Sequence, residues 1–124
     1  QCRRQGQKIA ILAFGSMVQA AMEAGDMLDA TVINMRFIKP LDTTLITDIA
    51  ETHDLIITIE ENTHIGGAGS GVAEFLLSSG NNTPIEILGL PDSFLDHGEH
   101  QAMLTACGLS ATGIINTAKQ HFPA

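Results

Sequence analysis

Apolar residues along this chain alternate between short continuous runs and helically spaced stripes. Lys8 to Phe14 is almost unbroken apolar sequence, closed by Gly15-Ser16. Such a run predicts a strand buried on both faces, because a half-exposed strand would alternate instead. Residues 16–28 then carry Val18, Ala21, Met22 and Gly25 at helical spacing, with Ser16 placed to cap the helix N-terminus. Residues 30–35 read as a second strand. Lys39-Pro40-Leu41 breaks the pattern, and Asp42 can cap a helix whose buried stripe is Leu45, Ile46, Ile49, Ala50 and His53. Residues 54–59 contain Leu-Ile-Ile-Thr-Ile, a third buried strand. A glycine-dense turn follows, and then a helix with Val72, Ala73, Leu76 and Leu77 on one face, ended by Gly80-Asn81-Asn82. Residues 84–88 alternate around Ile85, Glu86 and Ile87, as expected of a half-exposed strand nearer the sheet edge. After an irregular stretch through His97-Gly98, two helices are expected at about 99–107 and 110–122. The second would bury Ile114, Ile115, Ala118 and Phe122. Repeated strand-then-helix order predicts an α/β fold of three layers: a doubly wound, mostly parallel sheet with helices on both faces.

Residues 1–7 fall outside this pattern. They are polar, begin without Met, and read as an interdomain linker remnant from a longer protein, with residues 8–124 as the domain. A targeting segment on the parent is therefore not addressed by this stretch.

Composition narrows the classes of partner. At 44% hydrophobic and 16% charged, the chain has ample apolar mass for a core. With no Trp or Tyr and five Phe, that core must be aliphatic, and stacking platforms for single-stranded nucleic acid are lacking. The formal net charge is −8, and Arg3, Arg4 and Lys8 supply half of the six basic residues. The remaining body is more acidic still, so nucleic acid and anionic membrane surfaces are both excluded as partners. No apolar run approaches the roughly 18 residues of a membrane span. Cys2 and Cys107 form neither a disulfide framework nor a metal-ligand spacing, which suits a reducing compartment.

The densest chemistry lies between Ile59 and Val72. Glu60, Glu61 and Asn62 stand at the end of the third strand as an exposed acidic pair with an amide. Gly66, Gly67, Gly69, Ser70 and Gly71 then lead into the next helix. The dinucleotide fingerprint G-x-G-x-x-G fails here, because Gly67-Ala68-Gly69 would need glycine where Val72 stands. The phosphate-loop pattern fails too, since no Gly-Lys-Ser/Thr follows. Two readings of the turn stay open. One is a small-anion site at a helix N-terminus. The other is tight strand-to-helix packing, or a flat surface against a partner. Adjacent strand residues point to opposite faces, so Glu60 and Glu61 are better suited to hydrogen-bonding turn amides than to sharing one acid–base site.

Other candidates are weaker. His97 and His100, with Asp92, Asp96 and Glu99 nearby, have a spacing that can place two ligands together, but no third converges on them. His53, His64 and His121 are scattered and read as capping or surface residues. Ser16 and Ser70 lack the strained G-x-S-x-G context of a nucleophile. The residues alone describe an α/β domain with no catalytic, cofactor-binding or metal-binding set.

Several segments together do carry a resemblance. Ile9-Ala10-Ile11-Leu12-Ala13-Phe14-Gly15-Ser16 follows a basic linker, and Asn34-Met35-Arg36-Phe37-Ile38-Lys39-Pro40-Leu41-Asp42 comes next. Glu60-Glu61-Asn62 with Gly66-Gly67-Ala68-Gly69-Ser70-Gly71-Val72 follows in order. Gly89-Leu90-Pro91-Asp92, Phe94, His97-Gly98 and Cys107-Gly108-Leu109 complete the set. In this order and spacing, over residues 5–122, the chain resembles the C-terminal domain of the 1-deoxy-D-xylulose-5-phosphate synthase family. Transketolases and the beta subunits of 2-oxo acid dehydrogenases share parts of these patterns more loosely.

The resemblance implies a parent that condenses pyruvate with glyceraldehyde 3-phosphate, releasing carbon dioxide, at the start of non-mevalonate isoprenoid synthesis. Thiamine diphosphate supplies the carbanion chemistry and magnesium holds its diphosphate. In that family the cofactor sits between the first two domains. No catalytic residue therefore carries over, and neither thiamine diphosphate nor magnesium is expected on this chain alone. The role implied is a scaffold and dimer interface, with Glu60, Glu61, Asn62, Gly66, Gly67, Gly69 and Ser70 as interface or structural candidates. The partners implied are the preceding domains and a second copy of the parent. The bacterial cytoplasm is the implied location, with the plastid left open. The alternatives are the C-terminal domain of a transketolase or of a 2-oxo acid dehydrogenase beta subunit, or a free-standing flavodoxin-like binding or interaction module.

Overall fold

Ile9–Phe14 (β2) and Leu55–Thr63 (β4) carry the two most apolar runs, and they pair in parallel at the middle of a five-stranded sheet. The computed structural model describes residues 2–35, 43–63, 68–90 and 110–122. The remaining strands are Cys2–Arg4 (β1), Thr31–Met35 (β3) and Ile85–Leu90 (β5). Their spatial order is β1-β3-β2-β4-β5. β2 through β5 run parallel, and β1 alone is antiparallel, against β3. The helices among the described residues are Val18–Leu28 (α1), Thr43–Thr52 (α2), Ala68–Ser78 (α3) and Ala111–His121 (α4).

Period-two alternation splits the central strands between two cores. Ile9, Ile11 and Ala13 of β2, with Leu55, Ile57 and Ile59 of β4, pack under Ala21 and Ala24 of α1 and Ile114 and Ala118 of α4. Ala10, Leu12 and Phe14, with Ile56, face Ile46, Ile49 and Ala50 of α2 and Val72 and Leu76 of α3. Both faces of β2 are buried, which is why its sequence shows no alternation. The doubly wound, three-layer α/β architecture expected from the sequence is the one observed. The four expected parallel strands begin within one residue of their expected starts.

Several expectations are corrected. Residues 2–4, read as part of a linker, form edge strand β1. Polar side chains do not oppose this, because an edge strand needs backbone pairing more than burial. β4 continues four residues past the apolar run, to Thr63. Opposite Ile59 to Thr63, β5 advances only from Leu88 to Leu90, so β4 is bulged there. α1 is entered through a 3₁₀ turn, Gly15–Met17, and its N-cap position is Met17 rather than the expected Ser16. Leu77, assigned to the buried face of α3, is 81% exposed, while Ala24 joins the buried stripe of α1. The expected Asp42 cap and the helix near 99–107 lie outside the described residues, as do His97 and His100.

α4 forms where expected. Its N-cap is Ser110, whose hydroxyl accepts the Gly113 N–H at 3.2 Å, as a helix start requires. At its other end His121 Nε2 lies 2.9 Å from Glu86 Oε1 of β5, and Lys8 Nζ sits 5.7 Å from the Phe122 ring centroid.

Candidate functional site

The chain passes from β2 through α1 to β3 on one side, then crosses back through α2 to β4 on the other. The direction of winding therefore reverses between β2 and β4. Open parallel sheets leave a crevice at the carboxyl ends of the strands at such a point. Here it is bounded by the 3₁₀ turn after β2, which packs against β4, and by the bulged end of β4 leading to α3.

The central interaction is between Glu60 and the start of α3. Glu60 is 1% exposed, and its Oε1 accepts the Gly69 N–H at 3.0 Å. A carboxylate there satisfies one of the orphan amides of the first helical turn and lies at the positive end of the helix dipole. The expectation of an exposed acidic pair is thus corrected at Glu60, which faces inward from a strand covered by α3. This also bears on the anion-site reading. The Gly69 amide is already taken by a carboxylate of the same chain.

Gly69 has no room for a side chain. A Cβ there would lie 2.5 Å from Thr58 Oγ1 and 2.8 Å from Ile87 Cγ2. Both neighbours are branched at Cβ and stiff, so neither can swing aside cheaply. Thr58 is fully buried, and its hydroxyl has no hydrogen-bond partner among the described residues. Sequence reasoning did not single out Thr58. The signal was there: one polar residue inside Leu-Ile-Ile-Thr-Ile.

Of the other candidates, Ser70 is half-buried in the first turn of α3. Glu61 and Asn62 have their backbones in the bulged part of β4. Their side chains, together with Gly66, Gly67 and His64, lie outside the described residues. The structure therefore brings Glu60, Gly69 and Thr58 together.

His53 proves to be buried and capping at once. Its Nδ1 lies 3.0 Å from the Ile49 carbonyl near the end of α2, and its Nε2 lies 2.8 Å from Thr31 Oγ1 on β3. Ile49 O can only accept, so Nδ1 carries the proton and Nε2 accepts from the Thr31 hydroxyl.

The described residues do not fit a metal-bound diphosphate. No group of three or more His, Cys, Asp or Glu among them could hold a metal ion. In the first turn of α3 the Gly69 amide is engaged by Glu60. Among the described residues no helix is long and apolar enough to cross a membrane.

A family model described as "Transketolase, C-terminal domain" matches residues 1–114. The chain belongs to the transketolase C-terminal domain family. That domain match begins at the first residue, so it includes the segment containing β1. Within the family the chain is similar to 1-deoxy-D-xylulose-5-phosphate synthases. It is 56% identical over 122 residues to that of Nitrosomonas europaea, covering 98% of this chain and 20% of the synthase. The synthase of Methylobacillus flagellatus is 56% identical over 115 residues, covering 93% of this chain and 19% of the synthase. Among solved structures, a split-gene transketolase described as an inactive beta4 tetramer superposes with a TM-score of 0.87 at 32% identity. It covers 97% of this chain and 41% of that one. The transketolase C-terminal fold and the resemblance to the synthases are thus both shown, and the chain spans about 20% of the length of the synthases it matches.

Proposed function

We propose that this chain is the C-terminal domain of a thiamine-diphosphate-dependent 1-deoxy-D-xylulose-5-phosphate synthase. The parent would condense pyruvate with glyceraldehyde 3-phosphate and release carbon dioxide. The observation that carries this reading is the 56% identity across 98% of the chain, against 32% for the transketolase of known structure. The parent would use thiamine diphosphate with magnesium, held by domains outside this chain, in the bacterial cytoplasm. This domain supplies no group to the reaction. Its role is scaffold and dimer interface, alongside the preceding domains and a second copy of the parent.

The test is the full-length gene product. Carbon dioxide release from pyruvate that depends on glyceraldehyde 3-phosphate is expected. Ketol transfer between sugar phosphates without pyruvate would replace the synthase with a transketolase.

Two further outcomes follow from the same reading. Calorimetry of the 124-residue chain with thiamine diphosphate and magnesium should show no saturable heat, because the domains that would clamp the cofactor lie outside this chain. Saturable binding in the micromolar range would place a cofactor site on this domain. In the full-length protein, Gly67→Val should weaken the dimer seen by sedimentation, or lower activity, with little change in thiamine diphosphate affinity. An unchanged dimer with unchanged activity would remove the glycine turn from the interface.

A further inference from the structure

We propose that residues 2–8 are a docked strap which fixes the direction of the incoming chain and places whatever precedes it over the carboxyl ends of the strands, on the β3 side. The part concerning a preceding domain rests on the synthase reading above.

The strap is held at successive points. β1 pairs with β3, Cys2 opposite Ile33 and Arg4 opposite Val32, with a register shift between them. Arg4 forks onto the turn between α1 and β3. Its Nε donates to Asp26 Oδ1 at 3.1 Å, and its Nη1 donates to Asp29 Oδ1 and the Ala30 carbonyl at 3.0 Å each. The Asp29 hydrogen bond leads in raising the Arg4 pKa above its ordinary value. Gly6 then presses against backbone. A Cβ there would collide with the Asp29 carbonyl, the Ala30 carbonyl carbon and the Thr31 nitrogen. The Gly6 N–H donates to Thr31 Oγ1 at 2.8 Å, and the Gln7 N–H donates to the Asp29 carbonyl at 3.2 Å.

The turn that receives the strap is shaped for it. Asp29 has φ of 52°, the left-handed region that Asp tolerates better than most residues. That conformation ends α1 while Asp29 receives the strap through both its carboxylate and its carbonyl. His53 closes the set from the far side, since the Thr31 hydroxyl that accepts from Gly6 donates onward to His53 Nε2. One donor, the Gly6 N–H, and one acceptor, His53 Nε2, meet at that hydroxyl. At its end the strap joins the sheet, where the Lys8 carbonyl accepts from the Asp54 and Leu55 amides.

Direction follows from topology. β1 is antiparallel to β3 and starts opposite its middle residue, Ile33, so the strap runs toward the amino end of β3, and the chain then turns up into β2. Chain that continues upstream along this direction heads toward the carboxyl end of the sheet. The Glu60–Gly69 contact lies at that same end, between the carboxyl-terminal part of β4 and α3. A preceding domain and the crevice then share one end of the molecule.

Amide hydrogen exchange on the 124-residue chain is the direct measurement. Gly6 and Gln7 should exchange at least about 100-fold more slowly than in an unstructured peptide. Exchange at the unstructured rate would overturn the strap. Thr31→Val keeps the shape and removes the acceptor, so Gly6 protection should fall at least tenfold while β2 and β4 keep theirs. Unaltered Gly6 protection in that variant would overturn the Thr31 link. A nitroxide at position 1, with Cys2→Ser and Cys107→Ser, should broaden Asn34 and Met35 amides more than Asp54 and Asn81. The reverse pattern would overturn the direction. None of these readings depends on the parent's reaction, so they can fail while the carbon dioxide assay succeeds, and the converse.

Discussion

Gly69→Val should destabilise the chain by roughly 3 kcal/mol, the upper part of the range for forcing extra atoms into a close-packed site. The added Cβ meets Thr58 Oγ1 at 2.5 Å and Ile87 Cγ2 at 2.8 Å, and two further methyls must find space beyond it. Gly69→Ala is the informative comparison. Helix propensity favours Ala over Gly by about 1 kcal/mol in a helix interior, and less in the first turn. Overpacking costs about 1–3 kcal/mol, so the clash should win and Ala should still destabilise. In a Thr58→Ala background the Ala penalty should shrink, because one of the two obstructing atoms is gone. Urea unfolding of the four variants measures this. A Gly69→Ala chain at least as stable as the parent would show that α3 can lift off β4 without cost.

Glu60→Ala comes second in expected size, at about 2–4 kcal/mol. Two losses combine. The Gly69 N–H is left without its partner in a buried setting, costing about 1–3 kcal/mol. The removed side chain also leaves a cavity beneath α3, as large-to-small core substitutions do. Glu60→Gln fills the space and can still accept the same hydrogen bond, but loses the charge facing the helix dipole, so about 1 kcal/mol is expected. The ordering Ala worse than Gln is the diagnostic result. Equal and small effects for both would mean that the helix N-terminus is satisfied without Glu60. Circular dichroism during the same unfolding would show whether α3 frays first.

Both predictions rest on contacts the sequence suggested only in outline. The stretch from Glu60 to Gly71 was legible as a place where strand and helix meet closely. Which glycine mattered was not. Gly66, Gly67, Gly69 and Gly71 are equivalent as letters, and it is the position of Thr58 and Ile87 beneath Gly69 that shows its tight packing. Glu60 and Glu61 likewise look alike in sequence. The pleat separates them, and the placement of α3 decides that Glu60 is inside.

Residues 2–7 show the opposite kind of error. Local composition read them as linker because they bury little and carry charge. Their structure comes from partners about 25 residues away at Asp26, Asp29, Ala30 and Thr31, which no local window contains. His53 was placed on the buried stripe of α2, yet its link to Thr31 on β3 had no local trace.

Local chemistry was enough for the order of elements. Continuous apolar runs demand burial on both faces, helical stripes between them demand cover from one side, and a parallel sheet with helices on both faces is the arrangement that satisfies both. The edge strand, the inward carboxylate, the bulge of β4 and the exposure of Leu77 were settled only by tertiary packing. Each depends on which neighbour a residue meets across the sheet, and that distance in space has no counterpart in distance along the chain.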